Sequence, residues 1–324
     1  NLPDPTIKKP GTYMDVVTYT GTGAALTPTS SLGFSPDLVW IKGRSGATDH
    51  ALYDTVRGVQ LDLVSNSTAA ETTQAQGLTA FNSNGFTVGT LAKLNTSSAT
   101  YVAWCWDKSA TPGFDIVTYT GDGTTSSSRL IDHSLGVTPA FVITKKRSGG
   151  TDYSWSCWHK DLGGNYGIWL DKTSARNVSM WGGYSNFSST KFTPPDLLYG
   201  NENGATYVNY LWSEVAGFSK FGSYTGNGSS DGPFVYLGFR PRWIMFKTTG
   251  TGYWGIYDAV RNTYNAATLA LYPNDPLAEL TDQPFDFLSN GFKVRGTSAF
   301  VNSSGGTYIF AAFAETPAKY SLAR

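Results

Sequence analysis

The chain has 324 residues, with 24 basic and 24 acidic side chains and a formal net charge of zero. That length fits two or three domains, and the lack of a basic field excludes nucleic acid as an expected partner. Charged residues make up 15% of the chain, against about 25% in an average one, while aromatic residues also reach 15%. Gly, Ser, Thr and Asn fill much of the rest, a composition that supplies turns and short strands rather than helical bundles. No run approaches the roughly 18 apolar residues a membrane helix needs, so no membrane insertion is expected. The chain opens at Asn1 without a charged start and apolar run, which argues against a retained signal peptide and suggests a fragment or processed product.

In chain order, Asp15 to Thr20 reads as a strand that runs into a turn at Gly21-Thr22-Gly23. Leu32-Gly33-Phe34-Ser35-Pro36 punctuates the approach to a short apolar strand, Leu38 to Lys42, expected to be buried on both faces with its lysine reaching water. Ala51 to Arg57 follows. Then Phe81-Asn82-Ser83-Asn84-Gly85-Phe86 carries an Asn-Gly pair between apolar flanks, a strong hairpin signal. Ala99 to Trp104 closes the unit.

The same text then returns twice. Tyr19-Thr20-Gly21-Thr22-Gly23 recurs as Tyr119-Thr120-Gly121-Asp122-Gly123 and as Tyr224-Thr225-Gly226-Asn227-Gly228. Leu135-Gly136-Val137-Thr138-Pro139 and Leu237-Gly238-Phe239-Arg240-Pro241 answer the second phrase, and strands ending in Lys145 and Lys247 follow them. A period of about 100 residues is the size of a small self-sufficient domain rather than of a solenoid repeat. The expectation is an all-β chain of three tandem β-sandwich, jelly-roll-like modules. They span residues 12–107, 113–216 (diverged) and 221–316, with an N-terminal extension at 1–11 and a C-terminal tail at 317–324. Helices longer than two turns are not expected. The phenylalanines of Gly217-Phe218-Ser219-Lys220-Phe221-Gly222 suggest a docked joint between the second and third modules. Cys105 and Cys157 fall at non-equivalent positions, so both are expected as reduced thiols.

Chemistry is sparsely supplied. His50, His133 and His159 lie at no metal-ligand spacing, and no nucleophile elbow, Walker loop or metalloprotease helix is present. The Gly-x-Gly phrases lack the third glycine and the following helix of a dinucleotide site. Asp54 and Asp258 are the repeated carboxylates, yet each precedes an arginine by three residues (Arg57 and Arg261), which points to structural ion pairs. The middle module puts His159 and Lys160 there instead. No catalytic residue, metal or cofactor is expected, and the chain reads as a non-enzyme.

Sugar binding is better provided for, since aromatic rings stack on pyranose faces while Asn and Ser satisfy hydroxyls. The middle module is richest in rings, and its segment Met180 to Phe187 sets them among glycines. The candidate ligand-binding residues are therefore Trp155, Trp158, Trp181, Tyr184 and Asn186. For any one ring, a core position is the plainer reading.

The phrases Leu32-Gly33-Phe34-Ser35-Pro36-Asp37-Leu38-Val39-Trp40-Ile41-Lys42, Tyr101-Val102-Ala103-Trp104-Cys105-Trp106 and Gly217 to Gly228 resemble a repeated domain of unassigned function in tail and structural proteins of marine tailed bacteriophages. The resemblance covers most of the chain and is closest from Phe221 to about Ala314. It implies a virion protein of the tail or surface, such as a tail fibre or adhesin, with other virion proteins and host surface polysaccharide as partners and a homotrimer as the assembly. It brings no catalytic residues. Recognition would then be multivalent. The alternatives are a purely structural spacer or decoration protein, a polysaccharide depolymerase, and a carbohydrate-binding module.

Overall fold

The computed structural model describes residues 4–28, 32–125, 128–150, 154–178, 180–181 and 186–317. Module 1 supplies β1 (Met14–Thr20), β2 (Leu38–Gly43), β3 (Ala51–Asp54), β4 (Gly58–Leu63), β5 (Thr72–Thr73), β6 (Leu78–Asn82), β7 (Gly85–Val88) and β8 (Thr100–Trp106). Module 2 supplies β9 (Phe114–Thr120), β10 (Ile131–Asp132), β11 (Phe141–Ser148), β12 (Ser156–His159), β13 (Ile168–Trp169), β14 (Lys191–Phe192) and β15 (Thr206–Trp212). Module 3 supplies β16 (Ser219–Thr225), β17 (Phe234–Tyr236), β18 (Phe239–Thr248), β19 (Trp254–Asp258), β20 (Ala267–Ala270), β21 (Leu280–Leu288), β22 (Gly291–Val294) and β23 (Thr307–Pro317). Each module carries one short helix before its last strand: α1 (Ala92–Asn95), α2 (Leu197–Gly200) and α3 (Ala299–Asn302). The fold is all-β, as the composition predicts.

One antiparallel wiring is used three times. The first strand of each module pairs with the last, the last with the strand after the Leu-Gly-x-x-Pro phrase, and that strand with the next: β1-β8-β2-β3, β9-β15-β11-β12 and β16-β23-β18-β19. The register agrees too, placing Tyr19 opposite Tyr101, Tyr119 opposite Tyr207 and Tyr224 opposite Tyr308. A smaller sheet covers one face in each module, β6-β7, β10-β14 or β17-β22-β21-β20. The expected hairpins form, with the corner one residue earlier than the Asn-Gly pair: Asn82 opposes Gly85 and Leu288 opposes Gly291.

Side-chain alternation explains why the central strands are apolar at nearly every position. In β8, Tyr101, Ala103 and Cys105 pack under the covering hairpin of module 1, whereas Val102, Trp104 and Trp106 point the other way. The latter join Val208, Tyr210 and Trp212 of β15 and Ile309, Ala311 and Phe313 of β23 in one core shared by all three modules. Trp106 lies 6.1 Å from Trp212, 5.4 Å from Trp243 and 5.8 Å from Phe313, each pair edge-on. The modules are thus not beads on a string. They close around a common centre, and each keeps a second core of its own. Both cysteines are buried free thiols.

The recurring Tyr-Thr-Gly-x-Gly phrase is a clamp on the short helix. Asn95, Asn201 and Asn302, all fully buried, each accept an amide N–H from the phrase with the side-chain oxygen (Thr22 at 2.8 Å, Asp122 at 3.2 Å, Asn227 at 2.8 Å). The second glycine sits at φ of +75°, +74° and +71° in the three copies, a region closed to most side chains. A Cβ on the first glycine would strike the carbonyl of Thr96, Glu202 or Ser303. The tyrosines of the phrase stack on their cross-strand partners at 5.1, 5.0 and 4.9 Å.

The strand-end lysines are a correction to the sequence expectation. Lys42, Lys145 and Lys247 are buried rather than solvated. Each ammonium crosses to backbone carbonyls of the neighbouring module: Lys42 to Pro276 (3.2 Å), Lys145 to Thr68 (3.1 Å), and Lys247 to Thr173 and Ser174 (3.4 and 3.3 Å). Burial pushes the Lys42 and Lys247 amines down to about 8. A ring nitrogen at the start of β3, β12 or β19, one position before the first two strands and on the first residue of the third, makes the same crossing. His50 meets the Tyr272 carbonyl (2.9 Å), Trp155 donates to Val64 (2.9 Å) and Trp254 donates to Trp169 (2.7 Å). Module 1 reaches module 3, module 2 reaches module 1, and module 3 reaches module 2, so the contacts close a cycle.

Candidate functional site

The repeated carboxylates are spent on these joints. Asp54 pairs with Arg57 inside module 1, and Arg57 bonds Glu71 at 2.8 Å. Module 2 completes the cluster: Arg147 reaches Glu71 at 2.8 Å and the Tyr210 hydroxyl donates to Asp54 at 2.8 Å. Module 3 repeats it with Asp258, Arg261 (2.6 Å) and Glu279 (3.0 Å), completed by Arg44 (2.8 Å) and the Trp104 indole (3.0 Å) of module 1. Burial pushes the Asp258 carboxyl up, but Arg261 and the indole N–H outweigh it and hold the group below its ordinary range. The ion-pair reading of Asp54 and Asp258 is what the structure shows.

At the third joint every member of the cluster changes together. His159 stands where the aspartate would be, Leu162 in place of the arginine, and Ala311 in place of the ring donor. Arg176 replaces the glutamate and Thr249 its partner arginine. The backbone bond survives, Arg176 N–H to the Thr249 carbonyl at 2.9 Å, matching Glu71 to Arg147 and Glu279 to Arg44. His159 Nε2 meets the Phe310 carbonyl at 3.1 Å, and its Nδ1 accepts from Asp161 N–H. Burial pushes the imidazole down to about 4, which leaves it neutral at pH 7.

The aromatic candidates of module 2 do not form an exposed platform. Trp155 is fully buried in the common core, with its indole N–H crossing to module 1. Trp181 is fully buried in the module's own core and donates to the Thr193 carbonyl at 3.0 Å. Trp158 is nearly buried, with its ring 4.2 Å from that of Phe187 and its N–H without a hydrogen-bond partner. Asn186 is exposed, its backbone held by the Thr193 hydroxyl at 2.8 Å. Tyr184 lies outside the described residues. Trp155, Trp158 and Trp181 are therefore corrected as ligand-facing rings, Trp181 despite its neighbouring glycines, because all three pack against the faces of a sheet that is covered on both sides.

A groove of about 490 Å³ opens instead between modules 2 and 3. One wall is β16, the edge strand of its sheet, and the other is β17, also an edge strand. Period-2 alternation turns Val235 inward and leaves Phe234 and Tyr236 exposed at 46% and 58%. Gly222 and the Phe310 ring line the interior, Ser223 and Thr225 lie along β16, and Lys160 and Asp161 close the end from module 2. Lys160 and Lys220 both bond Glu214, at 3.0 and 3.2 Å. Burial pushes the Glu214 carboxyl up, and these lysines more than offset that and hold it low. Among the described residues no group of three His, Cys, Asp or Glu side chains could hold a metal ion, and no helix is long and apolar enough to cross a membrane.

Fold and joints define an all-β protein whose three modules share one core. The chain belongs to the family described as a domain of unknown function (DUF7483), whose profile matches residues 9–317. That match runs through all three modules, as the shared core would require. No curated protein matches the chain.

Proposed function

We propose that this chain is a non-enzymatic recognition protein of a virion tail or surface, of the tail-fibre or adhesin kind, and that host surface polysaccharide is its ligand. The phage setting rests on the sequence resemblance. The recognition role rests on one structural observation: the chain commits its repeated charged residues to joints but leaves two aromatic rings outward on an edge strand beside an open groove. A contiguous exposed apolar patch rimmed by polar residues marks an interaction site. A rigid body held by buried cross-module bonds suits a part that must keep its surface in a fixed orientation. Other virion proteins as partners, and a trimer as the assembly, belong to the same proposal. The multivalence would come from copies on the particle, because the three modules do not present equal surfaces.

The test is binding of the purified chain to bacterial cells and to their extracted surface glycans, with glycan length followed in the same tubes. Saturable binding without shortening is the expected result. Shortened glycan would replace the reading with a depolymerase, and absence of binding to cells and glycans alike would replace it with a spacer or decoration protein.

A further inference from the structure

The three modules act as controls for one another, and module 3 departs from its siblings at several positions that meet in the groove. Gly222 stands where Val17 and Val117 stand in the other first strands, and its cross-strand partner Phe310 stands where Ala103 and Asn209 do. The exchange conserves volume across the pair, since a Cβ on Gly222 would come within 2.8 Å of the Phe310 ring. The result strips β16 of a side chain and sets an aromatic ring beneath the gap. Counted back from the repeated leucine, Phe234 and Tyr236 take the places of Thr29 and Ser31 in module 1 and of Asp132 and Ser134 in module 2. Lys220 replaces Asp15 and Asp115. From the facing module, Lys160 and Asp161 stand where Thr55 and Val56, or Ala259 and Val260, stand elsewhere.

The main four-stranded sheet does not depend on these rings, because modules 1 and 2 build the same sheet with small polar residues at those positions of the sequence. Leaving Phe234 and Tyr236 in water costs hydration that small polar residues would avoid. The volume lies within the range of small-molecule sites, about 300–1,000 Å³, and two edge strands bounding an open groove leave room for a chain to pass through. Charge then selects the ligand. Lys160 and Lys220 are balanced by Glu214 and Asp161, so the groove offers hydrogen-bond donors and acceptors without a net field. It fits a ligand with apolar C–H faces, many hydroxyls and no charge.

We infer that the groove between β16 and β17 binds a short stretch of a neutral hexopyranose polymer. Tyr236 and Phe234 stack on sugar faces above the Phe310 ring, while Ser223, Thr225, Lys160 and Lys220 bond the hydroxyls. This deepens the recognition reading and rests on it.

The experiment titrates the whole chain with neutral gluco-, galacto- and manno-hexasaccharides and with a uronate-containing hexasaccharide, read by saturation-transfer NMR and calorimetry. It is repeated on Tyr236→Ser and Phe234→Asp, which install the residues module 2 carries, with the melting temperature of each variant followed beside its binding. At least one neutral hexasaccharide is expected to bind, and Tyr236→Ser is expected to weaken it by about tenfold, the order that one stacked ring contributes. Neutral binding unchanged in both variants would move the site elsewhere and overturn the groove while sparing the recognition reading. Preference for the uronate sugar would overturn the neutral class. Binding to bacterial cells without binding to any oligosaccharide would overturn the sugar assignment alone, and binding to neither would overturn both readings.

Discussion

The joint between modules 3 and 1 and the joint between modules 2 and 3 occupy equivalent places in the same cycle, yet they are held by opposite chemistry. At the first, Asp258 and Arg261 are buried together, joined by Glu279, Arg44 and the Trp104 indole. At the second, a neutral His159, Leu162 and Ala311 meet the same geometry with apolar contact, one imidazole bond to the Phe310 carbonyl and the retained backbone bond from Arg176 to Thr249. A buried ion pair is no stronger than well-packed apolar residues of similar volume, but breaking one partner leaves an uncompensated charge. The comparison teaches that the cluster can be lost as a unit and not by halves. Its loss coincides with the joint where the groove opens, which ties the change in packing to a change in surface.

The largest effect should therefore come from halving an intact cluster. Asp258→Ala leaves Arg261 buried without its closest partner and should cost about 3–5 kcal/mol, measured by denaturant unfolding. His159→Ala, at the equivalent place, removes no charge and should cost less, about 1–3 kcal/mol for the cavity and lost bond. Equal costs at the two positions would break the comparison.

Acid separates the joints next. His159 is held near 4 against its ordinary 6.5, with Lys160, Asp161 and Glu214 as the charged groups facing it. Between those values the unfolded chain binds a proton that the folded chain refuses, so stability falls as pH drops from about 6.5 to about 4 and is fully present above that window. The loss is on the order of 3 kcal/mol at most. His50 and His133, also pushed down by burial, add to the slope. Denaturation midpoints compared between the chain and His159→Gln at pH 7 and pH 4.5 isolate the share of His159. A slope unchanged by the substitution would show that this joint carries no acid sensitivity.

Much of this architecture was legible in the residues. The thrice-repeated phrase marked the modules, and the alternation-free runs Leu38 to Lys42 and Phe141 to Lys145 marked strands covered on both faces. The lysines were misread because a charge at a strand end usually meets water. Here the next module supplies carbonyls at that point, a fact no local pattern encodes. Asn95, Asn201 and Asn302 were passed over although each stands at a fixed distance before its closing strand. A buried carboxamide looks like any loop asparagine until its partners are known. The aromatic candidates failed for a related reason, since glycines near Trp181 do not tell which side of a sheet the ring will take. The groove did leave a signal. Aligning module 3 with its siblings sets Gly222 against Val17 and Val117, and Tyr236 against Ser31 and Ser134, but only the fold brings those two differences together.

The smallest expected effect is the most discriminating for the cyclic arrangement itself. Trp104 in module 1 and Tyr210 in module 2 do the same work for different neighbours, each giving one hydrogen bond to a buried aspartate across a joint. Trp104→Phe keeps most of the ring in the core and removes the donor to Asp258, so it should cost about 1–3 kcal/mol, as for a hydrogen bond to a charged group with its partner left buried. Tyr210→Phe should cost a similar amount through Asp54. The two clusters share no side chain, so the double variant should lose close to the sum of the two, within about 0.5 kcal/mol. Ala311, the third member of the set, gives the control: Ala311→Ser offers a hydroxyl where His159 presents no carboxylate, and it should bring no gain in stability. A gain there would mean that the third joint still wants a donor, and that the two chemistries are less separate than their residues make them.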